Sequence, residues 1–212
     1  DVEEREGGAY FEKSDVLKLV DRVKARDGAA LVQLCREGDP LGVELLEEWL
    51  ETDVALRNQL FMMCSSELVE ETGETVLHLA VSAQSVEWLD FLIGLITFGT
   101  SGNQEQLEEE LSYTNHFGNT PLHLSCLTGN PQLVGRLLET KCRPLALNRL
   151  GKSVLHCAAE TGSADTVALF LNSNLVTVEL AQKLMETADS QGLYPIHVAA
   201  ATSSRAVLDI ML

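Results

Sequence analysis

The sequence has 212 residues, of which 45% are hydrophobic and 22% charged, a balance typical of a folded globular chain. Acidic residues number 32 against 15 basic ones, and the net charge of −17 argues against direct nucleic-acid binding, because cations supply most of that affinity. No apolar run approaches the length that crosses a bilayer, so a membrane partner is not expected either.

The start of the chain, "DVEEREGG", has no initiator methionine and no signal-peptide pattern, so we expect a piece of a longer protein. The following stretch "SDVLKLVDRVKA" places apolar residues at i, i+3, i+4 and i+7 from Val16, with Ser14 as the expected N-cap. We therefore assign residues 1–26 to a flexible start plus an N-terminal flanking helix. We expect this helix to pack on the unit that follows it.

Two helices are predicted next, in "ALVQLCREGDPLGVELLEEWLE" from Ala30. Gly38 fits the turn between them, Asp39 an N-cap and Pro40 the first helical position, where the missing N–H costs nothing. We interpret residues 28–52 as a degenerate repeat that caps a stack, since terminal units of repeat proteins need one polar face.

Four later stretches share a pattern in which a histidine follows a glycine by five residues. They read "GETVLHLAVSAQS", "GNTPLHLSCLTGN", "GKSVLHCAAETGS" and "GLYPIHVAAATSS", and their histidines are His78, His123, His156 and His197. The repeats begin near residues 73, 118, 151 and 192. The intervals between the histidines are 45, 33 and 41 residues, so we place insertions at 97–115 and 172–191.

Each unit predicts a helix–turn–helix, with Thr120 as an N-cap, Pro121 at the first helical position and Gly129 as the left-handed residue that ends the first helix. In two units the ending glycine is replaced, by Gln84 and by Ser203. If the left-handed conformation persists there, each replacement costs about 1 kcal/mol.

The two insertions differ in character. The first contains a Gly/Ser loop and a very acidic helical turn, and the second predicts a helix from Thr177 to Thr187. Insertions in repeat proteins often carry binding specificity, but a tolerated loop excursion explains them as well. At the C-terminus, "AVLDIML" falls inside a predicted second helix, so we expect either further repeats or another covering element.

The shared pattern Gly-x-Thr-Pro-Leu-His-x-Ala-Ala resembles the ankyrin repeat. This resemblance implies an all-α ankyrin-repeat solenoid over residues 27–212, with helix–turn–helix units connected by short β-hairpins or loops. It also implies that each histidine bonds the capping hydroxyl and neighbouring backbone, so that the four histidines are structural. Tyr194 replaces the capping threonine beside His197.

No catalytic, cofactor-binding or metal-binding residue is predicted, and we expect no enzyme activity. The five cysteines form no C-x-x-C pair and match no zinc-ligand spacing, which favours free thiols in a reducing compartment. His156 and Cys157 are adjacent, but neighbouring helix residues point about 100° apart and cannot easily form a nucleophile–base pair.

Within the ankyrin family the chain resembles the IκB-like domain at the C-terminus of NF-κB precursor proteins of the Relish type. The resemblance is carried by "NRLGKSVLHCAAETG" from Asn148 and "QGLYPIHVA" from Gln191. It implies binding of a Rel-homology dimer, masking of its basic nuclear-localisation segment and retention in the cytoplasm, with nuclear location, transcription regulation and innate immunity as further associations. The alternative is a generic ankyrin adaptor, or a regulatory arm of a larger multidomain protein.

The resemblance also implies binding through hairpin tips and the ends of first helices, while the acidic N-terminal portion suits a Lys/Arg-rich segment. The predicted protein-binding residues are Asn115, His116, Phe117, Asn148, Arg149, Ser190 and Gln191 at the tips, Thr128 and Glu160 at helix ends, and Glu67, Glu70 and Glu71 in the acidic portion. Phe117 has two interpretations, as an aromatic anchor for a partner or as a side chain packed against the next hairpin.

Overall fold

The computed structural model describes residues 13–51, 54–66, 68–101, 103–140, 142–172 and 174–212. The helices within these ranges are α1 (Lys13–Lys24), α2 (Gly28–Glu37), α3 (Pro40–Leu50), α4 (Val54–Ser66), α5 (Val76–Ser82), α6 (Val86–Gly99), α7 (Gln104–Leu111), α8 (Pro121–Thr128), α9 (Pro131–Leu138), α10 (Val154–Thr161), α11 (Ala164–Leu171), α12 (Val178–Met185), α13 (Pro195–Ala201) and α14 (Arg205–Met211). The described residues form no strand beyond one isolated bridge, between Val69 and Glu74, so the predicted all-α class is confirmed.

The helices are arranged in two rows. The first helices of successive units, α2, α5, α8, α10 and α13, pack one on the next, and so do the second helices α3, α6, α9, α11 and α14. Each unit thus buries its apolar face mainly against its neighbours, as in other solenoids. Measured against a bilayer, every helix of the described ranges is too short or too polar to cross it.

At the N-terminal end, α1 packs on α2 and α3 through Val16, Leu19, Val20 and Val23, all buried. The flanking helix is therefore present, and Ser14, the expected N-cap, lies within its described range of Lys13–Lys24. The expected flexible start, residues 1–12, falls outside the described residues.

The capping pair is joined to the next unit by a specific contact. Gly38 ends α2 with φ 69°, and the side chain of Asp39 caps α3 by accepting from the Leu41 N–H at 2.9 Å. The indole N–H of Trp88 donates to the Asp39 carbonyl at 2.9 Å, and the Trp88 ring lies so close to Gly42 that a Cβ there would approach it to 2.8 Å. The turn expected at Gly38, Asp39 and Pro40 is confirmed.

Helix α4 was not predicted from the sequence. It packs on α3 and α6, burying Leu60, Phe61 and Cys64. The ring of Phe61 covers Gly99, and α6 continues to that glycine, giving it 14 residues against eight in α9. Residues 97–99, which we assigned to the first insertion, therefore belong to α6, because α4 provides a surface on which the longer helix packs.

Both insertions contain a helix packed on the array. In the first, α7 buries Leu111 completely; in the second, α12 contacts α10, α11 and α13 and buries Leu184. The side chain of Thr177 caps α12. Val178, the first residue of this helix, is 72% exposed.

Candidate protein-binding site

Three of the four repeated histidines connect their unit to the next hairpin. In the central unit, the Thr120 N–H donates to His123 Nδ1 at 3.3 Å, while His123 Nε2 lies 3.2 Å from the Lys152 carbonyl oxygen. Because Nδ1 accepts a backbone N–H, the ring proton must sit on Nε2, where it is donated to that carbonyl. The imidazole is therefore neutral in this arrangement.

Two other units repeat this geometry. Nε2 of His78 lies 2.9 Å from the Asn119 carbonyl oxygen, and Nε2 of His156 lies 2.9 Å from that of Leu193. Burial lowers the pKa of all three imidazoles, that of His123 to about 4, since desolvation disfavours the charged form. In the last unit Nδ1 of His197 accepts from the Tyr194 N–H at 3.0 Å, and the Tyr194 ring lies against it with 5.5 Å between centroids.

The hairpin tips are shaped by one polar side chain each, at matching positions. Oδ1 of Asn115 accepts from the N–H groups of Phe117 and Asn119, both at 3.0 Å. Asn148 and Asp189 bond the backbone two and four residues further on in the same way. Asn115 is only 3% exposed, so this predicted contact residue forms the turn and its side chain is not available to a partner.

Successive tips are hydrogen-bonded to one another in a continuous row. The His116 N–H donates to the Thr72 carbonyl at 2.8 Å, and the Arg149 N–H to the Phe117 carbonyl at 3.1 Å. The Ser190 N–H donates to the Leu150 carbonyl at 3.0 Å. We call the resulting surface, formed by residues 70–73, 115–118, 148–151 and 189–192, the tip row.

The tip row presents two large apolar side chains on neighbouring hairpins. Phe117 is 64% exposed, so most of its side chain is open to solvent, and Leu150 at the equivalent position is 59% exposed. Leu150 was missed from the sequence, although its place before Gly151 matches that of Phe117 before Gly118. The two residues give the tip row an apolar centre.

The remaining predicted contact residues have mixed surroundings. Six of them are exposed, namely His116, Arg149, Ser190, Gln191, Glu70 and Glu71. Thr128 donates its hydroxyl to the Ser125 carbonyl at 2.8 Å, and Glu160 pairs with the Lys152 ammonium at 2.8 Å. Glu67 lies outside the described residues.

The cysteines are free thiols, and all are buried except the half-buried Cys142. Burial raises the pKa of Cys157 to about 12, and both ring nitrogens of its neighbour His156 are engaged in hydrogen bonds. A protonated thiol beside a neutral imidazole is a poor nucleophile. Among the described residues no group of three or more His, Cys, Asp or Glu side chains could hold a metal ion.

Comparison with known proteins points to one family. A family model for ankyrin repeats, in three copies, matches residues 95–177. The B-cell lymphoma 3 protein homolog of Mus musculus is 27% identical over 168 residues, covering 79% of this chain and 33% of that protein. The NF-kappa-B inhibitor delta of Mus musculus is 29% identical over 139 residues, covering 66% and 38%.

Other matches agree with these. The NF-kappa-B p105 subunit of Rattus norvegicus is 28% identical over 68% of this chain and 14% of its own length. The chain thus spans at most about two fifths of the length of each of these three relatives. A chain in the crystal structure of the yeast ribosomal protein Rps3 with its chaperone Yar1 has the same fold, with 23% identity, a TM-score of 0.59, and coverage of 72% of this chain and 95% of that one. The helix pairs, the repeated histidines and these matches together show an ankyrin-repeat fold, and the chain is similar to IκB-like proteins with this fold.

Proposed function

We propose that this chain is an IκB-like domain that binds a Rel/NF-κB dimer, masks its basic nuclear-localisation segment and retains it in the cytoplasm. The observation that carries this proposal is the similarity to IκB-like proteins over 66–79% of the chain, including one named as an inhibitor of NF-kappa-B.

The tip row supports this proposal through its chemistry. Phe117 and Leu150 provide adjacent exposed apolar anchors, and Glu70 and Glu71 lie at the tip that precedes them. Exposed aromatic and aliphatic anchors dominate many protein interfaces, and an acidic surround favours a Lys/Arg-rich partner. The net charge of −17 adds a long-range attraction for such a segment and repels DNA.

Calorimetric titration of the folded chain with a purified Rel-homology dimer tests the proposal. The dimer is used with and without its basic segment, at roughly 50 mM and 200 mM salt, since surface electrostatics are screened over about 10 Å at 0.1 M. We expect saturable binding that weakens with salt and requires the basic segment. Absence of heat at concentrations on the order of tens of micromolar would favour the generic adaptor.

A further inference from the structure

A second surface lies away from the tip row, between helices α3, α4 and α6. It is a groove of about 760 Å³, within the range of roughly 300–1,000 Å³ found for ligand sites. Its floor is apolar and comes from Leu50, Phe91, Leu95 and Phe98, of which Phe98 is 39% exposed. We call it the α3–α6 groove, and it shares no residue with the tip row.

The rim of this groove is strongly acidic. Glu44 and Glu47 on α3, with Glu51 directly after its last residue, line one side, and Glu87 and Asp90 on α6 line the other. The cation of the rim is Arg57, whose guanidinium carbon lies 5.5 Å from the centre of the Phe98 ring.

The carboxylates on the α3 side of the groove are not neutralised by an ion pair within the described part of the chain. None of the ion pairs found there involves Glu44, Glu47 or Glu51, whereas Asp90 lies 3.5 Å from Nε of Arg136 on α9. Like charges three or four residues apart destabilise a helix. A cationic partner would remove that repulsion.

We propose that the α3–α6 groove is a docking site for a basic amphipathic helix of a partner protein. Apolar side chains of that helix, spaced i, i+3, i+4 and i+7, would occupy the floor, and its Lys and Arg side chains would pair with the rim. The acidic rim repels phosphate, which disfavours nucleic acid and anionic lipid as occupants. This proposal does not rest on the function proposed for the tip row.

Gly94, in the middle of α6, supplies a sharp test. A Cβ built on it meets no heavy atom within 4 Å, so the open space of the groove reaches the helix backbone at this point. Leucine is a much better helix former than glycine, so Gly94→Leu should fill the groove without weakening the fold. Gly135 on α9 is equally open but does not line the groove, which makes Gly135→Leu the matched control.

The probe is a fluorescent peptide of about 18 residues, with leucine on one helical face and lysine on the other, titrated with the intact chain by anisotropy. We expect saturable binding that weakens with salt. Gly94→Leu should reduce the affinity by about tenfold or more, while Gly135→Leu should not change it. The double variant Glu44→Gln/Glu47→Gln should weaken binding and flatten its salt dependence, whereas Glu105→Gln/Glu109→Gln on α7 should do neither.

Three results would overturn the proposal. The first is no saturable binding at concentrations on the order of tens of micromolar. The second is an equal effect of Gly94→Leu and Gly135→Leu, with both variants shown to be folded by thermal melting. The third is equal binding of a probe that carries glutamate in place of lysine. None of these results would contradict the function proposed for the tip row, because that function concerns a different surface and is tested with a Rel-homology dimer.

Discussion

Gln84 and Ser203 occupy backbone positions that favour glycine. Both have φ of 56°, and Gly129 and Gly162 have φ of 67° and 68° at the equivalent places in their units. A residue with a Cβ is strained in this left-handed region by roughly 1–2 kcal/mol. Replacing it by glycine relieves the strain but adds flexibility to the unfolded chain.

We therefore expect Gln84→Gly to raise the free energy of unfolding by about 0.5–1 kcal/mol, measured from urea transitions. The matched control is Gln182→Gly in the interior of α12, where the same replacement should lower that free energy by a similar amount. If both variants are destabilised, the left-handed turn is not a source of strain.

Phe117 is the residue on which we expect partner binding to depend most. Phe117→Ala should weaken binding of a Rel-homology dimer by about tenfold or more, because truncation of a central aromatic anchor commonly costs 2 kcal/mol or more. Val178→Ala, which trims a side chain 72% exposed on α12, should leave the affinity unchanged. Equal affinities of the two variants would show that Phe117 is not part of the binding interface.

The residues of the site differed in how well the sequence predicted them. Phe117 could be placed at a tip from its position before a repeated glycine, but its exposure was open, because exposure depends on the neighbouring hairpin. The turn-forming role of Asn115 was missed, although Asn148 and Asp189 recur at the same intervals as the histidines. A comparison of tip positions would have identified both the turn residues and Leu150.

At the scale of the helix, α4 is the element that the sequence did not predict. The repeats were located because each carries a signature with a physical role, whereas α4 has no such signature and no clear apolar face. Its partner is a surface that exists only in the fold, the extension of α6 to Gly99. The same cause explains why residues 97–99 were assigned to an insertion.

Gly99→Ala tests the packing of α4 on α6. A Cβ at Gly99 would overlap the Phe61 ring, so we expect the substitution to lower the free energy of unfolding by about 1–3 kcal/mol. Gly135→Ala, where the added methyl group meets nothing within 4 Å, should instead raise it by up to about 1 kcal/mol. Urea midpoints of the two variants moving in the same direction would contradict the close contact of Phe61 with Gly99.

At the scale of the whole molecule, the histidine bonds make the stack a sequence of coupled units. His78, His123 and His156 each donate from Nε2 to a backbone carbonyl of the following hairpin, with Nδ1 occupied by an N–H donor. Protonation of Nδ1 would add an N–H that faces the backbone N–H now donating to that nitrogen, and the hydrogen bond between them would be lost. Each of the three junctions between units would therefore be weakened by protonation of its own histidine.

This coupling predicts loss of stability in mild acid. The folded pKa values of these imidazoles lie below the ordinary value of about 6.5, so the unfolded chain binds more protons as the pH falls. The stabilisation is complete above about pH 6.5 and declines as the pH approaches the folded values, near 4 for His123. For His123 alone, the fall of the pKa from 6.5 to about 4 corresponds to a full loss of roughly 3 kcal/mol.

Urea titrations at several pH values between about 6.5 and 4.5 measure this slope, since every unit of pKa difference corresponds to about 1.4 kcal/mol. His123→Asn should be less stable than the parent chain at neutral pH, because it breaks the bond to the Lys152 carbonyl, but its stability should depend less on pH in this interval. Lower stability at neutral pH reports the lost hydrogen bond of His123, and the smaller pH dependence reports the lost titration of its imidazole. An unchanged slope in His123→Asn would mean that the acid sensitivity arises elsewhere in the chain.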